Sequence, residues 1–485
     1  MSTQTKKITI DSAAIFFGKV VGLLFGILRL NYIASYLGVA NFGILYFAMN
    51  FCSLFQVLFD FGMSQLLTRN LARDLSKSRE LVGKVLSLKI IVVFIASLIV
   101  GLIGKILHFD RVTNWAILLT TVVFAINGIS IVLLSAFQAH RKMTLVALSN
   151  ILNDLLLSVF VILIIQKFPY IITVLLLSII IAFTNLTVLY FVYRKVVGSP
   201  KFSFDYNLWK EFTIESAPIA INSIGISLYT FIPPTILKYT RGNVEVGIYN
   251  AGYKLVSILT LVPMTFSQVV YPIFSDFYSN AKEKLSKSLS DSMRVMMIVS
   301  FPLVVGTILL APKIFELLYT AEFAPGIIVL QLAIISNLWA YMNWMTATFL
   351  IAVDRQKFMM ATSMCLGITI SMISFFIVPK FGFVTIPLML TTVEFLIFTL
   401  HRWYLVKIGY GRFSLFFLVK PLIASLVMGC VVGLLIHLNF FILVLIGIIV
   451  YFILLFSMKG FGEQELEILR KLISVVTGGR LKDIL

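Results

Sequence analysis

Few residues in this sequence are of types that do chemistry, and several of those few stand inside long apolar runs. Arg29 follows Gly18, Gly22 and Gly26, Asp60 ends "CSLFQVLFD", Asp154 comes just after Asn150 and Asn153, Lys254 lies in "YNAGYKLVS", and Glu394 lies in "TTVEFLIF". A charge in such surroundings is costly and is kept where it faces a cavity, a partner or a ligand. Arg29 offers a planar fork of N–H donors and Lys254 a mobile ammonium, so two such cations facing one cavity would attract a phosphate or pyrophosphate. The glycines before Arg29 recur every four residues and allow a close backbone approach on one helix face. Asp60, Asp154 and Glu394 have the chemistry of gating ion pairs or of sites for a coupling cation. Each has a plainer reading as well. Asp60 can pair at a helix rim, Asp154 can belong to a network with Asn150 and Asn153, and a lysine near a helix end can extend its ammonium to water.

Nothing resembles a catalytic constellation. His108, His140, His401 and His437 are scattered near the ends of apolar runs, and there is no paired-carboxylate motif or glycine-rich nucleotide loop. Cys52, Cys365 and Cys430 are far apart and form no CxxC pair, so they read as core thiols rather than metal ligands or disulfides. The expectation is a protein that is not an enzyme and holds no cofactor or metal. Any energy source should be ionic.

The elements that carry these residues follow from composition. Of the 485 residues 60% are hydrophobic and only 12% charged, with a mean hydropathy of +1.03. A soluble protein has about a quarter of its residues charged. The chain therefore reads as an all-α polytopic membrane protein. Runs of about 20 apolar residues, enough to cross a bilayer, number about fourteen: 12–34, 41–64, 84–106, 113–137, 145–165, 170–193, 212–232, 247–272, 292–312, 325–350, 358–378, 382–403, 413–436 and 438–458. The first run is too long for a signal peptide and reads as a retained span.

The net charge of +18 would suggest a nucleic-acid partner in a soluble protein, so the placement of the charges decides. With the N-terminus inside, 28 of the 39 Lys and Arg residues fall on inner segments and seven on outer ones. That bias sets topology, places both termini in the cytoplasm of a plasma (inner) membrane protein, and removes the argument for nucleic acid.

The segment "RKVVGSPKFSFDYNLWKEF" reads as a cytoplasmic linker with a surface helix. It divides the chain into 1–197, a linker at 198–211, 212–404, two further spans in 405–458, and a helical cytoplasmic tail at 459–485. A faint repeat supports the division: "FGILYFAMNFCSLFQVLFDFGMSQLL" from Phe42 compares with "VGIYNAGYKLVSILTLVPMTFSQVVYPIF" from Val246, with Gly43 matching Gly247 and "MSQLL" matching "FSQVV". Six intervening spans keep the orientation, which implies two pseudo-symmetric six-helix bundles about an axis along the membrane normal, plus two C-terminal helices. Pro218 lies in span 7 and Pro233–Pro234 at its outer end, Pro263 and Pro272 lie in span 8 and Pro302 in span 9, and this concentration suggests bent helices there.

"LGVANFGILYFAMNFCSLFQVLFDFGMSQLLTRNLARD" from Leu37, "VGIYNAGYKLVSILTLVPMTFSQVVYPIFSDFY" from Val246 and "PLVVGTILLAPKIFELLYTAEFAPGIIVLQLAIIS" from Pro302 together resemble the Wzx polysaccharide flippases. These belong to the multidrug/oligosaccharidyl-lipid/polysaccharide exporter superfamily. The resemblance implies two six-helix bundles around a V-shaped cavity and, as partner and substrate, a polyprenyl-phosphate- or polyprenyl-pyrophosphate-linked oligosaccharide turned between leaflets by alternating access. It also implies surrounding membrane lipids and other glycan-assembly membrane proteins as partners. Arg29 and Lys254 are the positions matched to the family's phosphate-contacting cations, and H+ or Na+ coupling stays open. A cation-coupled multidrug exporter is the nearest rival, for which a mostly acidic or aromatic cavity is expected. A membrane glycan polymerase or ligase is a further one, for which a large outer loop is expected.

Overall fold

The computed structural model describes the backbone of residues 3–410 and 418–460, and side chains within 22–217, 220–410 and 418–460. The expected tail helix beyond 460 and the side chain of Pro218 lie outside the described residues. The described chain is α-helical, with sixteen α-helices and three short 3-10 turns. They are α1 (Thr3–Leu54), α2 (Gln56–Asp60), α3 (Met63–Arg73), α4 (Ser78–Ile106), α5 (Arg111–Ala139), α6 (Met143–Ile165), α7 (Ile171–Val196), α8 (Tyr206–Arg241), α9 (Asn243–Leu259), α10 (Leu261–Asn280), α11 (Lys282–Leu318), α12 (Gly326–Ala352), α13 (Gln356–Phe381), α14 (Thr385–Lys407), α15 (Val419–Leu434) and α16 (Phe440–Ser457). Every expected span overlaps helix, and among the described residues eleven helical stretches are long and apolar enough to cross a membrane. Large apolar side chains face outward on several helices, among them Leu98, Leu163, Phe183, Phe376 and Leu434. In water that arrangement would expose greasy patches; in lipid it is the favourable one.

Two expectations about helix breaks change. The Pro233–Pro234 pair does not end its helix, because α8 runs through it to Arg241. Proline removes one backbone donor and strains the turn before it, and a packed membrane helix tolerates that. The segment over 198–211 is helical only from Tyr206, where it already forms the start of α8. Residues 199–205 form a non-helical strap, and α8 begins at Tyr206 where Asp205 caps it, its carboxylate accepting from the Leu208 N–H at 3.0 Å. The strap is fastened to α4: Lys201 N–H donates to Arg79 O at 2.8 Å, the Trp209 indole donates to Lys84 O at 3.0 Å, and Lys84 pairs with Asp205 at 3.0 Å.

The duplicated segments repeat their backbone as well as their sequence. Gly38 kinks α1 at φ 69° and ψ 168°, and Gly242, at the same place in the second segment, separates α8 from α9 at φ 87° and ψ −170°. This region is open to glycine and closed to nearly everything else. Further along, helix is broken at Phe55 between α1 and α2, and at Thr260 between α9 and α10.

The chain forms two compact units. The first comprises Met1–Asn250, Leu318–Pro325 and Ser363–Ile386; the second comprises Ala251–Leu317, Gly326–Thr362 and Pro387–Leu485. One core of the first unit gathers Leu67, Leu71, Val82, Leu133, Phe137, Tyr193 and Phe212. In the second unit, Phe274, Met293, Tyr341, Phe349 and Phe398 form one core, and α15 and α16 pack on α11 through Met428, Val432, Tyr451 and Ile298. There the Tyr451 hydroxyl donates to Ile298 O at 2.7 Å.

Candidate functional site

Within the first unit, the two glycine kinks lie beside an interlocked crossing. A Cβ on Gly43 of α1 would run into the Asn243 carbonyl oxygen, and one on Gly247 of α9 would run into that of Val39. Each glycine meets the counterpart of the other's neighbour, so the contact is reciprocal across the repeat. Beside it Lys238 of α8, 8% exposed, places its three N–H donors on Asp110 Oδ1 at 3.0 Å, Thr113 Oγ1 at 3.0 Å and Asn243 Oδ1. The Phe47 ring lies 5.8 Å beneath that ammonium. Partial burial pushes the Asp110 carboxyl up, but hydrogen bonds from the Thr113 hydroxyl and N–H, with the Lys238 charge, outweigh it and hold the group below the usual carboxylate range. Arg241 donates to Pro379 O at 3.0 Å and Lys380 O at 2.7 Å, tying the same end of α8 to that of α13.

Deeper in this unit, Arg29 is half-buried on α1 and its Nη1 donates to Ser158 Oγ of α6 at 3.2 Å. Ser158 in turn donates to Asp154 O at 2.7 Å. Asp154 lies on the same seam, its carboxylate 3.5 Å from where a Cβ on Gly22 would stand. The small residues on α1 thus admit a carboxylate, and the structure brings Arg29 and Asp154 to one interhelical seam.

Asp60 closes α2 just before a two-residue break in which Phe61 and Gly62 both take left-handed backbone conformations. Its Oδ1 pairs with Lys89 Nζ at 2.8 Å, its carbonyl accepts from the same ammonium at 3.1 Å, and Ser64 Oγ donates to Oδ2 at 2.7 Å. The Lys89 side chain is 0% exposed. Lys89 sits in "LSLKIIVV" on α4, within the expected span 84–106, although its charge is counted with those of the inner segments. The partner of Asp60 is therefore a cation enclosed within the helix packing. Arg69, from the stretch after Asp60, pairs instead with Glu215 of α8, both substantially exposed.

In the second unit, Lys254 is exposed on α9 and Glu394 is half-buried on α14. Asn343 of α12 donates through Nδ2 to Glu394 Oε2 at 2.7 Å and to Glu394 O at 2.8 Å. The Glu394 charge also reaches Tyr253, next to Lys254 on α9. Arg29 and Lys254 lie in different units. Among the described residues no group of three His, Cys, Asp or Glu side chains is placed to hold a metal ion.

A family model described as "Polysaccharide biosynthesis protein" matches residues 8–278. The chain belongs to that family. The capsular polysaccharide biosynthesis protein CapF of Staphylococcus aureus is 24% identical over 330 residues, 66% of this chain and 81% of CapF. Its fold is similar to that of lipid II flippase MurJ in an inward closed conformation, with a TM-score of 0.72 at 17% identity over 92% of this chain and 98% of that one. An inward-facing multidrug-resistance MATE transporter gives 0.64 at 14% identity, covering 83% and 100%. A transporter of the same superfamily from Pyrococcus furiosus, described as having a binding pocket of reversed polarity, gives 0.57 at 12% identity, covering 82% and 94%.

Three positions escape the sequence reading of this family member. Lys89 is counted with the cations of the inner segments although it falls within the span 84–106, and the eight residues after it are apolar or small. Lys238 falls outside span 7 once Pro233–Pro234 is taken as its end. His401 is passed over for lying near a span end, although it is 1% exposed.

Proposed function

We propose that this protein moves a polyprenyl-phosphate- or polyprenyl-pyrophosphate-linked oligosaccharide from the cytoplasmic to the outer leaflet of the plasma membrane, by alternating access, for building a cell-surface polysaccharide. The observation that carries this reading is Arg29: a permanently charged guanidinium set within a span, on a seam of small and hydroxyl residues, in a chain of the polysaccharide biosynthesis family. Such a fork suits a phosphate's oxygens, and the pairing offsets the large cost of desolvating that anion. Lys254 is the second cation in this proposal. The charge bias puts the Gly198 strap and both termini inside and the Gly38 and Gly242 kinks outside.

In this reading the crossing of Gly43 and Gly247, fastened by Lys238, is the outer gate. Two six-helix halves, 1–197 and 212–404 joined by 198–211, alternate around the headgroup while the polyprenyl tail stays in lipid. The helices within 405–458 lie beyond them. No covalent bond changes. The partners are the lipid-linked glycan, the surrounding lipids and other glycan-assembly membrane proteins. Asp60, Asp154 and Glu394 are the carboxylates from which gating or coupling to H+ or Na+ would come.

The test is leaflet exchange of fluorescent lipid-linked oligosaccharides in proteoliposomes. Arg29→Ala and Lys254→Ala should each slow exchange by on the order of tenfold or more, the loss of one charge-assisted phosphate contact. Unchanged exchange in both sinks the phosphate clamp. The likeness to MATE transporters favours one other reading, a cation-coupled exporter of drugs. Cation-driven efflux of organic cations, with no exchange of any polyprenyl substrate, would select it.

A further inference from the structure

His401 is a buried titratable group to which the transport reading gives no task. It sits on α14 between α12 and α13, with Nδ1 3.0 Å from Thr346 Oγ1 and Nε2 3.2 Å from Thr362 Oγ1. Each hydroxyl has a single proton to give and already has a carbonyl to receive it. Thr346 donates to Asn343 O at 3.1 Å, and Thr362 donates to Met359 O at 2.9 Å.

Counting protons separates the states of the ring. In a neutral imidazole one nitrogen donates and the other accepts. One threonine must then turn its proton from the backbone to the ring. In the imidazolium both nitrogens donate, and both threonine protons remain on their carbonyls. The pocket satisfies either state through rotation of one hydroxyl, with no heavy atom displaced. A histidine fixed only for packing is more simply held by one carbonyl, which admits one tautomer.

The pocket is also wired to a carboxylate. The residue that accepts from Thr346 through its carbonyl, Asn343, donates through its side chain to Glu394. The connected groups run Glu394, Asn343, Thr346, His401 and Thr362, all in the second unit. Glu394 lies seven residues before His401 on α14, about 10 Å along the axis. The ring touches Thr346 from α12 and Thr362 and Phe358 from α13, the Phe358 centroid 6.1 Å away. α12 carries no Asp, Glu, Lys, Arg or His. On the other two elements the nearest charged groups in sequence are Lys357, just after Arg355 at the start of α13, and Glu394 and Arg402 on α14. Phe398 and Leu405, one turn to either side of His401, are buried in the apolar core. An added positive charge is therefore costly there, and Glu394 is the carboxylate connected to the ring, through Asn343 and Thr346.

We propose that His401 is a proton-binding site, loaded and emptied during the transport cycle, with Glu394 as its anionic partner through Asn343 and Thr346. The proposal rests on the transporter reading and selects H+ over Na+ as the coupling ion. The step adds one proton from water to a ring nitrogen, raises the ring's charge by one, and is reversed on release.

Two measurements on the full-length protein test it. In proteoliposomes an imposed pH gradient should stimulate leaflet exchange on the order of tenfold, a usual coupling factor. That stimulation should fall to about one in His401→Gln, whose amide has a donor and an acceptor but binds no proton at these pH values, while a Na+ gradient has no effect on the native protein. Full stimulation in His401→Gln, or stimulation by Na+ alone, overturns the proposal. Independently of substrate, ring-labelled histidine should give an NMR signal, absent in His401→Gln, that passes from the neutral to the doubly protonated state as pH falls from about 8 to about 3. A ring that keeps one tautomer throughout overturns the proposal even if every lipid-linked substrate is exchanged. Absence of all exchange with a titrating ring would instead fault the substrate reading and leave the proton site standing.

Discussion

At the scale of single residues, a charge in this protein is explained by what it touches. Asp60 and Lys89 form a pair whose cation is fully enclosed, and removing one member of such a pair leaves the other without compensation. Lys89→Met should lower stability by about 3 kcal/mol, the lower end of the range for broken buried pairs because Asp60 keeps some contact with solvent. Asp60→Asn should also destabilise, and the double variant should recover most of the loss, as read by thermal melting in detergent. If Asp60→Asn melts normally and slows transport alone, Asp60 works as a gate. Asp60 and Glu394 could be singled out from the sequence because carboxylates are rare in apolar runs. Lys89 and His401 could not, because each sits within a turn or two of a span end, where a loop residue and a buried one look alike. Which of the two it is depends on a partner far along the chain, Asp60 for Lys89 and the two threonines for His401.

The helices show why some breaks were legible and others were not. Glycines at 38 and 242 punctuate the chain visibly, and both prove to hold backbone conformations that other residues rarely adopt. The proline pair in α8 gives the same signal and no break, because packing holds the helix through it. At the crossing, Gly43→Ala and Gly247→Ala put a methyl group against a backbone carbonyl. Each should cost about 1–3 kcal/mol by overpacking. Gly306→Ala, with nothing near its Cβ, is the control that should melt like the native protein. Lys238→Ala should loosen the same end, and a cysteine at Asn50, whose amide donates to Asn250 at 2.8 Å, should then label faster from outside. Asp110 adds a pH signature. Its folded pKa is depressed, so its contribution is complete above the ordinary aspartate value of about 4 and is lost as pH falls through the lower folded value. Labelling at residue 50, taken relative to a fully exposed cysteine at the same pH, should therefore stay constant from about pH 8 to pH 5 and rise only in stronger acid, and Asp110→Asn should raise that ratio at every pH.

For the whole molecule, composition was enough for the membrane class and for the positions of the helices, since lipid leaves helices as the simplest way to satisfy a backbone. The division into compact units was not legible, because packing joins segments such as 318–325 and 363–386 to residues far away in sequence. Orientation can be measured directly: in a background with the native cysteines replaced, Thr240→Cys should label from outside and His140→Cys from inside, and the reverse pattern would invert the topology. One feature of α12 has a meaning for the membrane voltage. Its 27 residues carry no ionisable acid or base apart from Tyr341, so this helix can shift across the bilayer without electrical work. Arg29 or a protonated His401 cannot, since a unit charge carried across the full field is worth about 2.3 kcal/mol per 100 mV. The potential can thus bias the protein only through the few charges set within its membrane helices, and α12, which meets His401 through Thr346, adds none of its own.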